Sequence, residues 1–204
     1  NDILDLSKIE AGHVQLTSDE VHLPELLSDL QETFSPVAKE GSNVLSIEIK
    51  PGIEILHIDR ERLKQILFNL LSNACKFTRQ GHIDLILRAR DTLYGEMLEF
   101  EVRDTGVGID PETMEKLFDP FVQANDSRSQ EHAGTGLGLA ISRRLARMMG
   151  GEMDVRSKAD QGSQFYLRVP AGSSLDASMS DASQGTLLLV DDDPVARELL
   201  RHTL

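Results

Sequence analysis

The sequence predicts an α/β fold, and three observations point there. Amphipathic helical stretches alternate with short apolar strands from about residue 14 to residue 170. Glycine-rich turns punctuate the second half, at Gly106 and Gly108 and again at Gly134, Gly136 and Gly138. Apolar residues make up 40% of the chain, but aromatics only 4%, with no Trp, so the core must be built from aliphatic side chains.

Taken in order, residues 1–12 read as the end of a helix, with Ile3, Leu4, Leu6 and Ile9 near helical period and Gly12 as its stop. Val14–Val21 alternates and predicts a strand. Pro24–Lys39 predicts a helix with Leu26, Leu27, Leu30 and Phe34 on one face and Pro24 in its first turn. Strands follow at Val44–Ile49 and, after the Pro51-Gly52 turn, at Ile53–Ile58. Asp59 is placed to cap the helix Arg60–Phe77. His82–Arg90 and Glu96–Arg103 predict two strands, the second running into Asp104. Pro111–Leu117 reads as a short helix, residues 122–133 as a polar loop of the length used for lids, and Gly134–Met149 as a helix stopped by Gly150-Gly151. Met153–Arg156 and Gly162–Val169 read as a closing hairpin. Residues 171–185 have linker composition. Thr186–Val190 is a short apolar strand, followed by Asp191, Asp192 and Asp193.

Chemistry concentrates on two stretches. Asn69 and Asn73 stand four apart on one helix face, with Lys76 close to it. They are either an exposed polar stripe or the polar wall of a cleft, because an amide buried without a partner is costly. Asp104 sets a carboxylate at a strand end beside Gly106 and Gly108. Phe118 and Phe121 read as anchors of the following loop or as ordinary core aromatics. Cys75, the single cysteine, reads as a small core residue, excludes an internal disulfide and fits a reducing compartment.

The ordered set Asn69-Leu-Leu-Ser-Asn-Ala-Cys-Lys-Phe-Thr78, Asp104-Thr-Gly-Val-Gly-Ile109, Phe118-Asp-Pro-Phe121 and Gly134-Thr-Gly-Leu-Gly-Leu139 resembles the N, G1, F and G2 boxes of sensor histidine kinases. The likeness covers roughly residues 14–170 and implies a two-layer α/β sandwich of the Bergerat (GHKL) type, with a mixed sheet packed on helices. It implies the catalytic ATP-binding domain at 13–170, with residues 1–12 as the end of a dimerisation hairpin or, on pattern alone, any amphipathic terminal helix. Residues 186–204 resemble the opening of a receiver domain, whose acidic cluster would help hold Mg²⁺. The whole would be a hybrid sensor kinase.

The resemblance assigns roles as expectations. Asp104 accepts from the exocyclic amine of adenine, since an ionised carboxylate only accepts. Gly106 and Gly108 let backbone approach the base, Ser163 supports the adenine edge through water, and Phe77 packs against the base. Asn73 offers an oxygen to Mg²⁺, Asn69 lines the site, and Lys76 reaches phosphate. Gly134, Thr135, Gly136, Leu137 and Gly138 open a helix whose free N–H groups attract phosphate. Related ATPases of the gyrase and heat-shock-90 kind carry a water-activating Glu where this chain has Asn69, which cannot take a proton. That disfavours an ATPase and favours phosphoryl transfer.

Two departures stand out. None of His13, His22, His57, His82, His132 and His202 has the family's phosphoacceptor context, so the acceptor is expected upstream of residue 1 and no residue here is expected to be catalytic in itself. The loop carries Gln130, Glu131 and His132 where many relatives have cations, with Arg128 as a substitute. This keeps open a kinase-like regulatory module that acts on a partner kinase. Expected partners are ATP, a second kinase protomer joined through the upstream hairpin, and receiver or response-regulator domains. A net charge of −13 argues against a nucleic-acid surface. No apolar run reaches the ~20 residues of a membrane span. The expected location is the cytoplasmic portion of a protein anchored in the inner membrane, and the lack of an initial Met reads as a piece of a longer chain.

Overall fold

A computed structural model describes residues 2–50, 54–92, 95–122 and 135–171. Its elements are α1 (Asp2–Glu10), β1 (Asp19–His22), α2 (Leu23–Glu40), β2 (Val44–Ile49), β3 (Ile55–Ile58), α3 (Arg60–Phe77), β4 (His82–Thr92), β5 (Gly95–Asp104), α4 (Pro111–Lys116), α5 (Gly138–Met148), β6 (Glu152–Ser157) and β7 (Ser163–Pro170). Five strands form one sheet in the order β2-β4-β5-β7-β6. β2 runs parallel to β4 and every other pairing is antiparallel, so the sheet is mixed as expected. β1 and β3 pair separately, antiparallel.

Alternation along the strands decides which face is covered. Ile83, Leu85 and Leu87 of β4, Leu98, Phe100 and Val102 of β5, and Phe165, Leu167 and Val169 of β7 all point into one core. Against them lie Leu26, Leu27, Leu30 and Phe34 of α2, Leu63, Ile66, Leu67, Leu70 and Leu71 of α3, and Ile141, Leu145 and Ala146 of α5. The result is one helical layer on one sheet layer. Cys75 is buried in this core as a free thiol, and burial raises its pKa.

The opposite face of the sheet is polar but not open. Glu99 is only 4% exposed there, roofed by Arg90 at 3.2 Å and Arg168 at 2.8 Å. Arg88 pairs with Glu101, and Arg168 also with Asp154. Burial pushes the Glu99 carboxyl up, but the hydrogen bonds from Arg168 and Arg90 outweigh it and hold the group below its usual range.

Helix α3 begins as the sequence predicts, with Asp59 Oδ1 accepting from Arg62 N at 2.9 Å. Two expectations need correction. The strand expected at Val14–Val21 is confined to Asp19–His22, because upstream the chain is held by a side chain rather than a ladder: Thr17 N–H donates to Asp59 Oδ2 at 3.1 Å. The helix expected from Gly134 starts only at Gly138, since Gly136 sits at φ +70°, outside helical backbone. Gly134, the polar loop from residue 123, the Pro51-Gly52 turn with Ile53, the linker beyond Ala171 and the receiver-like stretch 186–204 lie outside the described residues.

Candidate functional site

Asp104 closes β5 with its carboxylate 7% exposed. Burial alone would leave it expensive, but donors converge on it. Gly106 N–H donates to Oδ1 at 2.8 Å, the Thr78 hydroxyl approaches Oδ1 at 3.5 Å, and Ser163 adds its backbone N–H and its hydroxyl. Desolvation still dominates, so the carboxyl sits above its ordinary pKa. β5 and β7 bring Ser163 directly opposite Asp104 in the sheet register. The sequence flagged both residues but gave no sign that strand pairing would join them.

Gly106 and Gly108 are glycines for steric reasons. A β-carbon on Gly106 would overlap the Phe77 carbonyl, and Gly108, at φ +68°, presses on the Lys158 carbonyl. The Phe77 carbonyl accepts from Val107 N–H at 3.3 Å, which fastens the end of α3 to the first glycine turn. Phe77 itself is half-buried and carries Lys76 Nζ 4.8 Å from its ring centroid. Burial lowers the Lys76 pKa.

A second cluster lies earlier on the same helix. Asn69 Nδ2 donates to Ser142 Oγ at 2.9 Å, and Asn69 Oδ1 accepts from Asn73 Nδ2 at 3.4 Å. Asn69 thus clamps α3 to α5, while Asn73 turns its Nδ2 inward and keeps Oδ1 as its remaining polar end. A β-carbon on Gly138 would overlap Asn69 Oδ1, so glycine there is what admits the amide. Leu137 is fully buried and its N–H donates to Thr135 Oγ1 at 3.3 Å, so that residue contributes packing, not a free donor. A groove of about 470 Å³ opens between α3 and α5, with Gln65, Phe68, Asn69, Gly138 and Ser142 on its wall. Neither Asn73 nor Asp104 lines it.

The two clusters therefore share α3 rather than a single mapped cavity. Asn69 and Asn73 sit one turn apart, and Phe77, one turn further, meets the turn that carries Gly106. The ends of the segment before α5 are also fixed. Arg143 Cζ lies 4.6 Å from the Phe118 ring centroid, and Phe121 N–H donates to Gly136 O at 3.0 Å. The Phe121 ring is 66% exposed, so it anchors through backbone and not, like Phe118, through ring packing.

Sequence reasoning missed three polar residues. Asn43, 6% exposed, donates to Thr78 O at 2.9 Å and accepts from Gly81 N–H at 3.0 Å, fixing the turn after α3. Ser142 receives Asn69, and Ser157 contacts Ile109 and Ser163. No spacing signal marks them, because each acts through a partner far away in sequence.

Comparisons with known proteins give the family. A profile of the "Histidine kinase-, DNA gyrase B-, and HSP90-like ATPase" family matches residues 58–173. The autoinducer 2 sensor kinase/phosphatase LuxQ of Vibrio vulnificus (strain YJ016) is 41% identical over 175 residues, covering 83% of this chain and 20% of LuxQ. The aerobic respiration control sensor protein ArcB of Escherichia coli (strain K12) is 41% identical over 177 residues, covering 85% of this chain and 22% of ArcB. Full-length ShkA in complex with AMPPNP superposes with a TM-score of 0.74 at 33% identity, over 85% of this chain and 35% of that one. The chain spans about a fifth of the length of these curated relatives. It belongs to the histidine kinase-, DNA gyrase B- and HSP90-like ATPase family, and the relatives it matches are sensor kinases.

Proposed function

We propose that this domain holds Mg²⁺·ATP along α3 and presents the γ-phosphoryl group to a histidine upstream of residue 1. Asp104 takes the exocyclic amine of adenine, with Gly106, Gly108, Phe77 and Ser163 around the base. Asn69 lines the site and Lys76 reaches the phosphates, together with backbone of Gly136 and Gly138. The donor set fits a hard cation, since Asn73 Oδ1 is an uncharged oxygen whose amide nitrogen is directed to Asn69. Bound there, Mg²⁺ would neutralise phosphate charge.

The observation that carries the reading is Asn69. Its amide is engaged on both ends, by Ser142 and by Asn73, and an amide takes no proton from water. A site without a base at that position favours positioning over hydrolysis. The larger protein, on this reading, pairs with a second kinase protomer through the hairpin that α1 ends. It passes phosphate to receiver or response-regulator domains, and works as the cytoplasmic portion of a membrane-anchored sensor. No helix among the described residues is long and apolar enough to cross a membrane.

The test is a transfer assay on a chain extended upstream through the helical hairpin, with ATP labelled on its γ-phosphate and Mg²⁺. The expected result is acid-labile, base-stable phosphate on the protein with slow release of inorganic phosphate. Fast release with no labelled protein would overturn the reading in favour of a water-activating ATPase. Absence of binding at millimolar nucleotide would overturn it in favour of an interaction module.

A further inference from the structure

We propose that Gln65 donates a hydrogen bond to the γ-phosphoryl group of ATP, and that Arg62 is the positioning residue that turns its amide to do so. The inference rests on the reading that ATP lies along α3. On that reading Phe77 is at the base, Asn73 one turn earlier at the metal, and Asn69 one turn earlier again. Gln65 comes next, four residues before Asn69 on the same helix face and about 6 Å further along the axis. The groove between α3 and α5 begins where the metal position ends. Asn69, Gly138 and Ser142 line it, Asn73 does not, and Gln65 and Arg62 continue its wall. Gly138 is the first residue of α5, so the backbone N–H groups of that helix start reach the same groove. The end of the triphosphate farthest from the base is therefore the part that meets this wall.

Arg62 fixes how Gln65 is presented. Its Nη1 donates to Gln65 Oε1 at 3.0 Å. A guanidinium only donates, so the amide must keep its oxygen toward Arg62. Gln65 Nε2, with no partner among the described residues, is the end left for a phosphate oxygen. Asn69, on the same wall, is engaged at both ends by Ser142 and Asn73. Gln65 is half-buried, which holds its donor in place without closing it off. Charge favours the same assignment. Where many relatives have cations before the second glycine turn, this sequence has Gln130, Glu131 and His132. Arg62 and Lys64 put two positive charges on the groove wall, against one negative charge from Glu61.

The test measures affinities of Mg²⁺·ATP and Mg²⁺·ADP by competition against a fluorescent ATP analogue, on the whole chain. Gln65→Met keeps the length of the side chain and removes its donor. It is expected to lower the ATP-to-ADP affinity ratio by about three- to tenfold, the low end for a hydrogen bond to a charged oxygen. Equal losses for both nucleotides, or an unchanged ratio, would overturn the inference and leave Gln65 a packing residue. If Gln65→Met fails to fold, Gln65→Glu, which keeps the contact with Arg62 but has no proton to donate, is read by the same ratio. Arg62→Met leaves the backbone cap on Asp59 in place and is expected to lower the ratio too, with little further loss in a Gln65→Met background. Full additivity of the two would overturn the role given to Arg62. Asn73→Ala separates the two levels: if Mg²⁺·ATP affinity is indifferent to it, the placement of ATP along α3 itself falls. A weakened Asn73→Ala beside an unchanged ratio in Gln65→Met overturns only the role of Gln65.

Discussion

Gly138→Ala tests the clamp between α3 and α5 most sharply. The added methyl would overlap Asn69 Oδ1 and lie 3.0 Å from Asn69 Cγ and 3.2 Å from Nδ2, so the amide must swing away. Its movement gives up the 2.9 Å hydrogen bond to Ser142 and the long one from Asn73. Together these are worth about 1–2 kcal/mol. Replacing glycine by alanine in a helix returns up to about 1 kcal/mol, less in a first turn. The net loss of stability is thus small, about 0–1.5 kcal/mol, a fall in Tm of no more than about 6 °C for a domain of this size. Nucleotide binding has no such offset, because both amides leave their places, and affinity for Mg²⁺·ATP is expected to drop about tenfold or more. Thermal unfolding and nucleotide titration read the two effects separately. In an Asn69→Ala background the methyl has room, so the second substitution is expected to add no further loss. Wild-type affinity in Gly138→Ala, or full additivity with Asn69→Ala, would refute the reasoning.

Asn43→Ala leaves Thr78 O and Gly81 N–H without their buried partner and is expected to lower stability by about 2–3 kcal/mol, measured by urea unfolding; a loss within error would show the turn to be held by other contacts. Glu99, held below its usual range by Arg168 and Arg90, contributes stability that is present above the ordinary glutamate pKa and lost as pH falls through the lowered value. Glu99→Gln is therefore expected to be less stable than wild type at neutral pH and to lose less of its stability on acidification, which unfolding curves at both pH values would show.

Elements were legible where periodicity met a backbone signal. Arg60–Phe77 could be read to the residue because Asp59 marks its start and seven buried apolar positions define one face. Val44–Ile49 was equally clear from alternation. The stretch after His13 misled because alternation there reports the half-burial of Val14 and Leu16 and not a ladder; the decisive partner, Asp59, lies 42 residues away from Thr17. The glycine turn before α5 misled for another reason. Glycine permits positive φ but does not announce it, and Gly136 uses that freedom to turn the chain just before the helix. The site followed the same division. Asp104 and Asn69 could be proposed from motif, while Asn43, Ser142 and Ser157 could not, because what makes each matter is a partner brought near only by the fold.

On the proposed reading, in which Asp104 meets the adenine amine, its carboxylate joins the stability of the domain to its binding chemistry. Burial raises its pKa against the pull of Gly106, Ser163 and Thr78, so between the ordinary aspartate value and the raised one the folded chain binds more protons than the unfolded chain. The empty domain must lose stability from this group as pH rises through that window, opposite in sign to Glu99. An adenine amine needs the ionised form as acceptor, so nucleotide affinity must rise over the same window, and binding within it must release a proton. Calorimetric titration with an ATP analogue in two buffers of different ionisation enthalpy reads that proton directly. Release is expected as pH rises from the ordinary aspartate range through the raised pKa, and it fades once pH exceeds that pKa and the group is ionised before nucleotide arrives. Proton uptake, or an affinity indifferent to pH across the window, would mean that Asp104 does not meet the base. Asp104→Asn should abolish both the release and the pH dependence, which distinguishes this carboxylate from the many others on a chain of net charge −13.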